Sequence, residues 1–239
     1  MDGELLPHPT SDRSRYSQRV WACVAFALLT VCAGSARADD ERKGPGVFLT
    51  PQEALALAFP KATITRGTVL LDEEARARVA KLGGTAFDKG LVYPYTAVDE
   101  DGKHLGTAWF DTHRVRTQRE TLMVVVDADG AVQRIEVLAF CEPKQYLPRA
   151  KWYAQYTGRE LDARLDLGQD IRGIGGATLS ATATNGAVRR VLALHRVAAE
   201  LERARAEAER KQREREEAAR KVREREARER AKRKQGDER

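Results

Sequence analysis

Between residues 91 and 140 apolar and polar side chains alternate with a period of two, the mark of strands with one face on a core. Leu91–Val98 and Lys103–Val115 flank a turn at Asp99–Gly102, and Leu122–Val126 and Ala131–Phe140 flank a second at Asp127–Gly130. Two hairpins in succession predict a largely antiparallel sheet. Both turns read Asp-x-Asp-Gly but lack the third early ligand and the distal glutamate of a calcium loop, so their aspartates are read as turn formers. Ahead of the sheet, Thr50, Pro51 and Glu53 predict a capping box and a short helix through Leu55, Leu57 and Phe59 to the breaker Pro60. Thr63–Leu71 reads as a strand, and Asp72–Leu82 as a helix capped by Gly83 and Gly84. Residues 142–156 predict a loop followed by a short helix after Pro148. A last helix is expected from near Ser180 or Thr182, with Val188, Val191, Leu192 and Leu201 on one stripe. The fold class expected is α+β: an antiparallel sheet with flanking helices, plus a long charged C-terminal helix.

Past Glu200 the pattern loses its apolar positions. Glu207/Lys211, Glu209/Arg213, Glu216/Arg220, Glu217/Lys221, Glu224/Arg228 and Glu226/Arg230 are acid-before-base pairs at i,i+4, each worth a few tenths of a kcal/mol to a solvated helix. Leu201 and Val222 alone are large and apolar there, too few for a coiled-coil seam. This stretch also accounts for most of the net charge of +6. Residues 199–239 hold sixteen Lys/Arg against twelve Asp/Glu, a mixed-sign arm and not a nucleic-acid face.

The N-terminus reads as an address. Arg13, Arg15 and Arg19 precede the apolar run Val20–Cys32, and Ala36-Arg37-Ala38 follows it, which predicts a Sec signal peptide over 1–38 with the mature chain starting at Asp39 in the periplasm. Cys141 is then the one cysteine of the mature chain. The absence of a CxxC spacing argues against a thiol oxidoreductase, a c-type haem protein or a cysteine-ligated iron–sulfur carrier. Cys141 itself reads as a small buried residue at a strand end. His104, His113 and His195, taken to lie in different elements, show no metal-ligand spacing, and no Ser/His/Asp pattern or Walker-type loop occurs.

The segment with most chemical content is Gly175-Gly176-Ala177-Thr178-Leu179-Ser180, placed just ahead of the last helix. Two glycines let a phosphate approach the backbone, and the free N–H groups at a helix start favour an anion beside them. Thr178 adds a hydroxyl at that point. The same glycines also suit a tight connection before a helix. Trp152, Tyr153 and Tyr156 could stack on a ring system, although aromatic residues at helical spacing more often form core.

This segment resembles the Ser/Thr-Gly-Ala-Thr-x-Thr/Ser signature of the FMN-binding domain family, which includes subunits of the Rnf complex and of the sodium-translocating NADH:quinone reductase. Gly176, Ala177, Thr178 and Ser180 match it, and the likeness runs over most of residues 50–198, including Glu142-Pro143. The resemblance implies a 39–198 FMN-binding domain followed by a 199–239 helical or partly disordered tail. It also implies FMN joined through its phosphate to Thr178 by a flavin transferase that uses FAD, with Gly175, Gly176, Ala177, Leu179 and Ser180 around it. Redox proteins are the partners implied, with a membrane-associated electron-transport complex among them. Two positions depart from the pattern: Gly175 stands where the family has Ser/Thr, and Arg172 where an acidic residue is common. The rival expectation is a flavin-free scaffold that binds partners through its charged helix. A third is noncovalent FMN binding in a reductase.

Overall fold

This computed structural model describes residues 46–237, with side chains through 227; the expected leader and its cleavage site at Ala38 lie outside the described residues. The fold is α+β. Helix α1 (Pro51–Ala58) opens on the expected capping box, in which the Glu53 N–H donates to Thr50 Oγ1 at 3.2 Å and the Thr50 N–H to Glu53 Oε2 at 2.7 Å. Helix α2 (Glu73–Gly83) starts at Asp72, whose Oδ1 accepts from the Ala75 N–H, and ends at left-handed Gly84.

The expected strand over 63–71 is divided into β1 (Thr63–Arg66) and β2 (Val69–Leu70), and 91–98 into β3 (Leu91–Val92) and β4 (Tyr95–Val98). The cause is Pro94, which has no N–H to give a ladder. Opposite it, the Gly67 N–H donates to the Pro94 carbonyl at 2.7 Å, so one antiparallel ribbon bends there and feeds two sheets. Strands β5 (His104–Arg114), β6 (Arg119–Val126) and β7 (Val132–Phe140) complete a five-stranded antiparallel sheet in the order β1-β4-β5-β6-β7. Its turns use the two aspartates as expected. Asp99 Oδ1 accepts from the N–H groups of Asp101 and Lys103, and Asp127 Oδ1 from those of Asp129 and Ala131.

Period-two alternation serves both faces of the sheet. Leu122, Val124 and Val126 of β6 pack with Trp109 on the side of α2, of α3 (Ala150–Tyr153) and of α4 (Thr178–Asp237), while Met123 and Val125 pack with Leu55 and Phe59 on the side of α1. Helix α4 buries Ala181, Ala187, Val188, Val191 and Leu192. Gly83 of α2 allows its close approach, since a Cβ there would lie 3.1 Å from Arg190 Cα. The stripe ends at Leu201, half-buried against the core, and from Glu202 to Ala227 α4 is exposed. The expected border at 198/199 therefore falls inside one unbroken 60-residue helix.

Candidate functional site

Helix α4 begins at Thr178, two to four residues earlier than the apolar stripe suggested. The chain reaches it through a four-residue turn, Ile174–Ala177, closed by the Ala177 N–H donating to the Ile174 carbonyl at 3.1 Å. Gly176 holds φ +79° at the third position of that turn, a conformation costly for any residue with a Cβ. The first intrahelical bond runs from the Ala181 N–H to the Ala177 carbonyl. The N–H groups of Thr178, Leu179 and Ser180 thus lie in the first turn, where no intrahelical carbonyl reaches them. Ser180 sits inside that turn, past the start of the helix.

Gly176, Ala177, Thr178, Leu179 and Ser180 line a cleft of about 340 Å³ whose opposite wall is Val115, Arg116, Glu142 and Tyr146. A second and wider cleft, about 860 Å³, lies on the other side of the turn and is lined by Gly175 and Ala177 together with Arg149, Lys151 and Trp152. Within the motif exposure alternates sharply. Thr178 is exposed and Leu179 is 55% exposed, whereas Ser180 is 2% exposed. No hydrogen bond to the Ser180 hydroxyl is present among the described residues, and no buried side-chain polar atom there lacks a partner, so this hydroxyl reaches the solvent of the cleft that Ser180 lines. Gly175 has open space where a Cβ would stand and no positive φ.

The far wall is locked in place by one carboxylate. Glu142 Oε1 accepts from the Thr117 N–H at 2.6 Å, the Gln118 N–H at 2.8 Å and the Thr117 hydroxyl at 3.1 Å. It so pins the β5–β6 turn, which the Val115 N–H closes on the Gln118 carbonyl. The N–H groups of Gln118 and Thr117 hold the Glu142 carboxyl below the usual carboxylate range. In the wider cleft the other acid, Asp170, is engaged by Arg159 and Arg164, each at 2.8 Å. Arg116, Arg149, Lys151 and Arg172 have no ion pair among the described residues. The wider cleft, with four bases against one acid, consequently favours an anion, while the smaller one sets Arg116 against Glu142.

Compared with known proteins, the chain matches no family model, no curated protein and no solved structure.

Behind the cleft, one helical turn past Ser180, lies a buried charged network. Glu120 is fully buried and takes the Thr184 hydroxyl at 3.0 Å, the Tyr153 hydroxyl at 3.1 Å and His113 Nε2 at 2.9 Å. His113 Nδ1 meets Asp111 at 3.0 Å, and Arg190 grips Asp111 with two bonds of 2.7 and 2.8 Å. Burial opposes charge on His113, but the bonds to Asp111 and Glu120 raise its pKa above 6.5. Burial likewise pushes the Asp111 carboxyl up, and the bonds from His113 and Arg190 outweigh it and hold it well below the usual range. His113 and His104 both belong to β5, contrary to the expectation that they occupy separate elements: the strand runs unbroken through both. His195 accepts from Trp109 Nε1 at 3.2 Å, and burial pushes its pKa down to about 4. Among the described residues no cluster of three or more His, Cys, Asp or Glu could hold a metal.

The aromatic candidates are core. Trp152, Tyr153 and Tyr156 are buried and pack edge to face at 5.4 and 5.6 Å, and Tyr156 donates to Asn185 at 3.0 Å. Cys141, expected to be buried, is exposed, because the chain leaves the sheet at Phe140. Tyr146, Arg116 and the Glu142 clamp escaped the sequence reading. The faint signal for the clamp was a lone acid beside Pro143 at a strand end.

Proposed function

We propose that this protein is an exported electron-transfer flavoprotein that carries FMN, joined through its phosphate to Thr178 Oγ1. The observation that carries the reading is the exposed Thr178 at the start of α4, beside three backbone N–H groups without a helical acceptor and the Ser180 side chain in the lining of one cleft. Such a set suits a phosphate ester. The cleft falls in the size range of small-ligand sites, with Tyr146 and Leu179 as its larger apolar surfaces.

A bound flavin supplies reversible one- and two-electron chemistry; the chain's residues attach, orient and shield it. For attachment, Thr178 Oγ1 forms the bond to the FMN-side phosphorus of FAD, the bond from that phosphorus to AMP breaks, and the hydroxyl proton passes to a base of the transferase. Exposure of Thr178 leaves it open to that second protein. The Gly176 turn holds the threonine at the helix start, and the basic surroundings offset the phosphate charge. Partners of this reading are a flavin transferase and redox proteins, including those of a membrane-associated complex. Its compartment is the periplasm.

Intact-mass measurement tests it on protein exported together with a flavin transferase. One FMN ester per chain supports the reading and an unmodified chain sinks it. Gly175 and Arg172 favour a second reading, because both depart from the resembled pattern at the modification segment. There the domain is a flavin-free scaffold and the solvated part of α4 binds partners.

A further inference from the structure

Arg116 stands at the middle of the turn that Glu142 pins, across the cleft from Thr178 and Ser180. Glu142, the acid in the same cleft lining, accepts two N–H groups and a hydroxyl of that turn through Oε1. Arg116 is exposed and lacks an ion pair among the described residues. On the facing wall the Ser180 side chain lines the cleft with no hydrogen bond among the described residues, and three backbone N–H groups have no helical acceptor. Donors from two elements thus converge on one cleft, and the elements are held independently. A guanidinium offers a planar fork suited to two oxygens of one phosphate, which an ammonium cannot match.

We propose that Arg116 is the specificity-determining residue for the phosphorylated end of the ligand, selecting a flavin phosphate over the unphosphorylated flavin, and that Glu142 is its positioning residue. The proposal rests on the flavin reading for the identity of the ligand and not on covalent attachment. It adds a cationic wall to a site that the motif residues alone describe from one side.

The test uses the full mature chain made without a transferase, titrated separately with FMN and with riboflavin. The ratio of the two dissociation constants isolates the phosphate. FMN should bind roughly tenfold more tightly than riboflavin, as expected for a charge-assisted contact. Arg116→Gln should bring the ratio most of the way to one while leaving riboflavin binding unchanged, and Arg116→Lys should recover part of it. Arg119→Gln, an exposed change beyond the cleft, controls for lost charge and should keep the wild-type ratio. Glu142→Ala should lower the ratio with Arg116 intact. A wild-type ratio near one, a ratio unaltered by Arg116→Gln, or an equal fall in Arg119→Gln would overturn the proposal. A wild-type ratio lost in Arg116→Gln, in a chain that gains no ester on coexpression, would uphold it and end only the covalent reading.

Discussion

Thr178, Gly175 and Gly176 sit in one short segment and call for different tests. Thr178→Ala removes the proposed nucleophile from an exposed position, so covalent flavin should vanish with the unfolding midpoint unchanged. Gel fluorescence under denaturing conditions and peptide mass spectrometry read this, and ester persisting on the variant would refute the assignment. Thr178→Ser should retain part of the modification. Gly175 has room for a side chain and an ordinary backbone, so Gly175→Ser combined with Arg172→Asp should raise the modified fraction at no cost to folding. Gly176 differs, because its φ of +79° makes Gly176→Ala cost about 1 kcal/mol and disturb the turn that presents Thr178.

At the scale of elements, strands β5 and β6 are joined to α3 and α4 by charge as well as by apolar packing. His113 holds its proton more tightly in the folded chain than in the unfolded one. Its contribution to stability is therefore complete below about pH 6.5 and is lost as pH rises through its higher folded value. His195 has the opposite sense: kept neutral by burial, it contributes fully above pH 6.5 and loses that contribution as pH falls toward about 4. Urea midpoints measured from pH 4 to 9 should thus pass through a maximum. His113→Gln should flatten the alkaline arm and His195→Gln the acidic arm; unchanged arms in both variants would refute this account. His113→Ala leaves the buried Glu120 carboxylate without its cationic partner and should cost about 3 kcal/mol.

For the whole molecule the question is where the domain ends along α4. Glu200 pairs with Arg78 of α2, and Leu201 packs on the core, so the last useful turn reaches past Ala198. Truncation after Arg203 should leave the unfolding midpoint unchanged, whereas truncation after Ala198 should cost about 1 kcal/mol through Leu201. Equal midpoints for the two truncations would place the border earlier. The exposed arm relies on its own ion pairs. Lys211–Glu207 and Lys221–Glu217 close at 2.6 and 2.7 Å, but Glu216 takes Gln212 in place of the expected Arg220, which leans toward Glu224 at 3.8 Å. A peptide of residues 202–239 should accordingly be helical at low salt and lose helicity, by circular dichroism, as salt rises.

The amino-acid sequence by itself determined what depends on neighbours a few residues apart. The capping box at Thr50, the Asp99 and Asp127 turns, the alternation of β5 to β7 and the solvated arm all follow from local bonds or from a repeating period. The Gly-Ala-Thr segment was legible too, as a motif rather than as a site. Only the tertiary structure decided what that segment faces. Glu142 reaches back 25 residues to Thr117, and Glu120 meets Thr184 across 64, contacts made by strand register and helix docking that no spacing rule encodes. The break at Pro94 was visible as a proline, yet its effect on two sheets required the opposite strand. The start of α4 was missed for a related reason: exposed Thr178 and Leu179 and the polar, buried Ser180 do not extend the apolar stripe, yet the chain is already helical at Thr178.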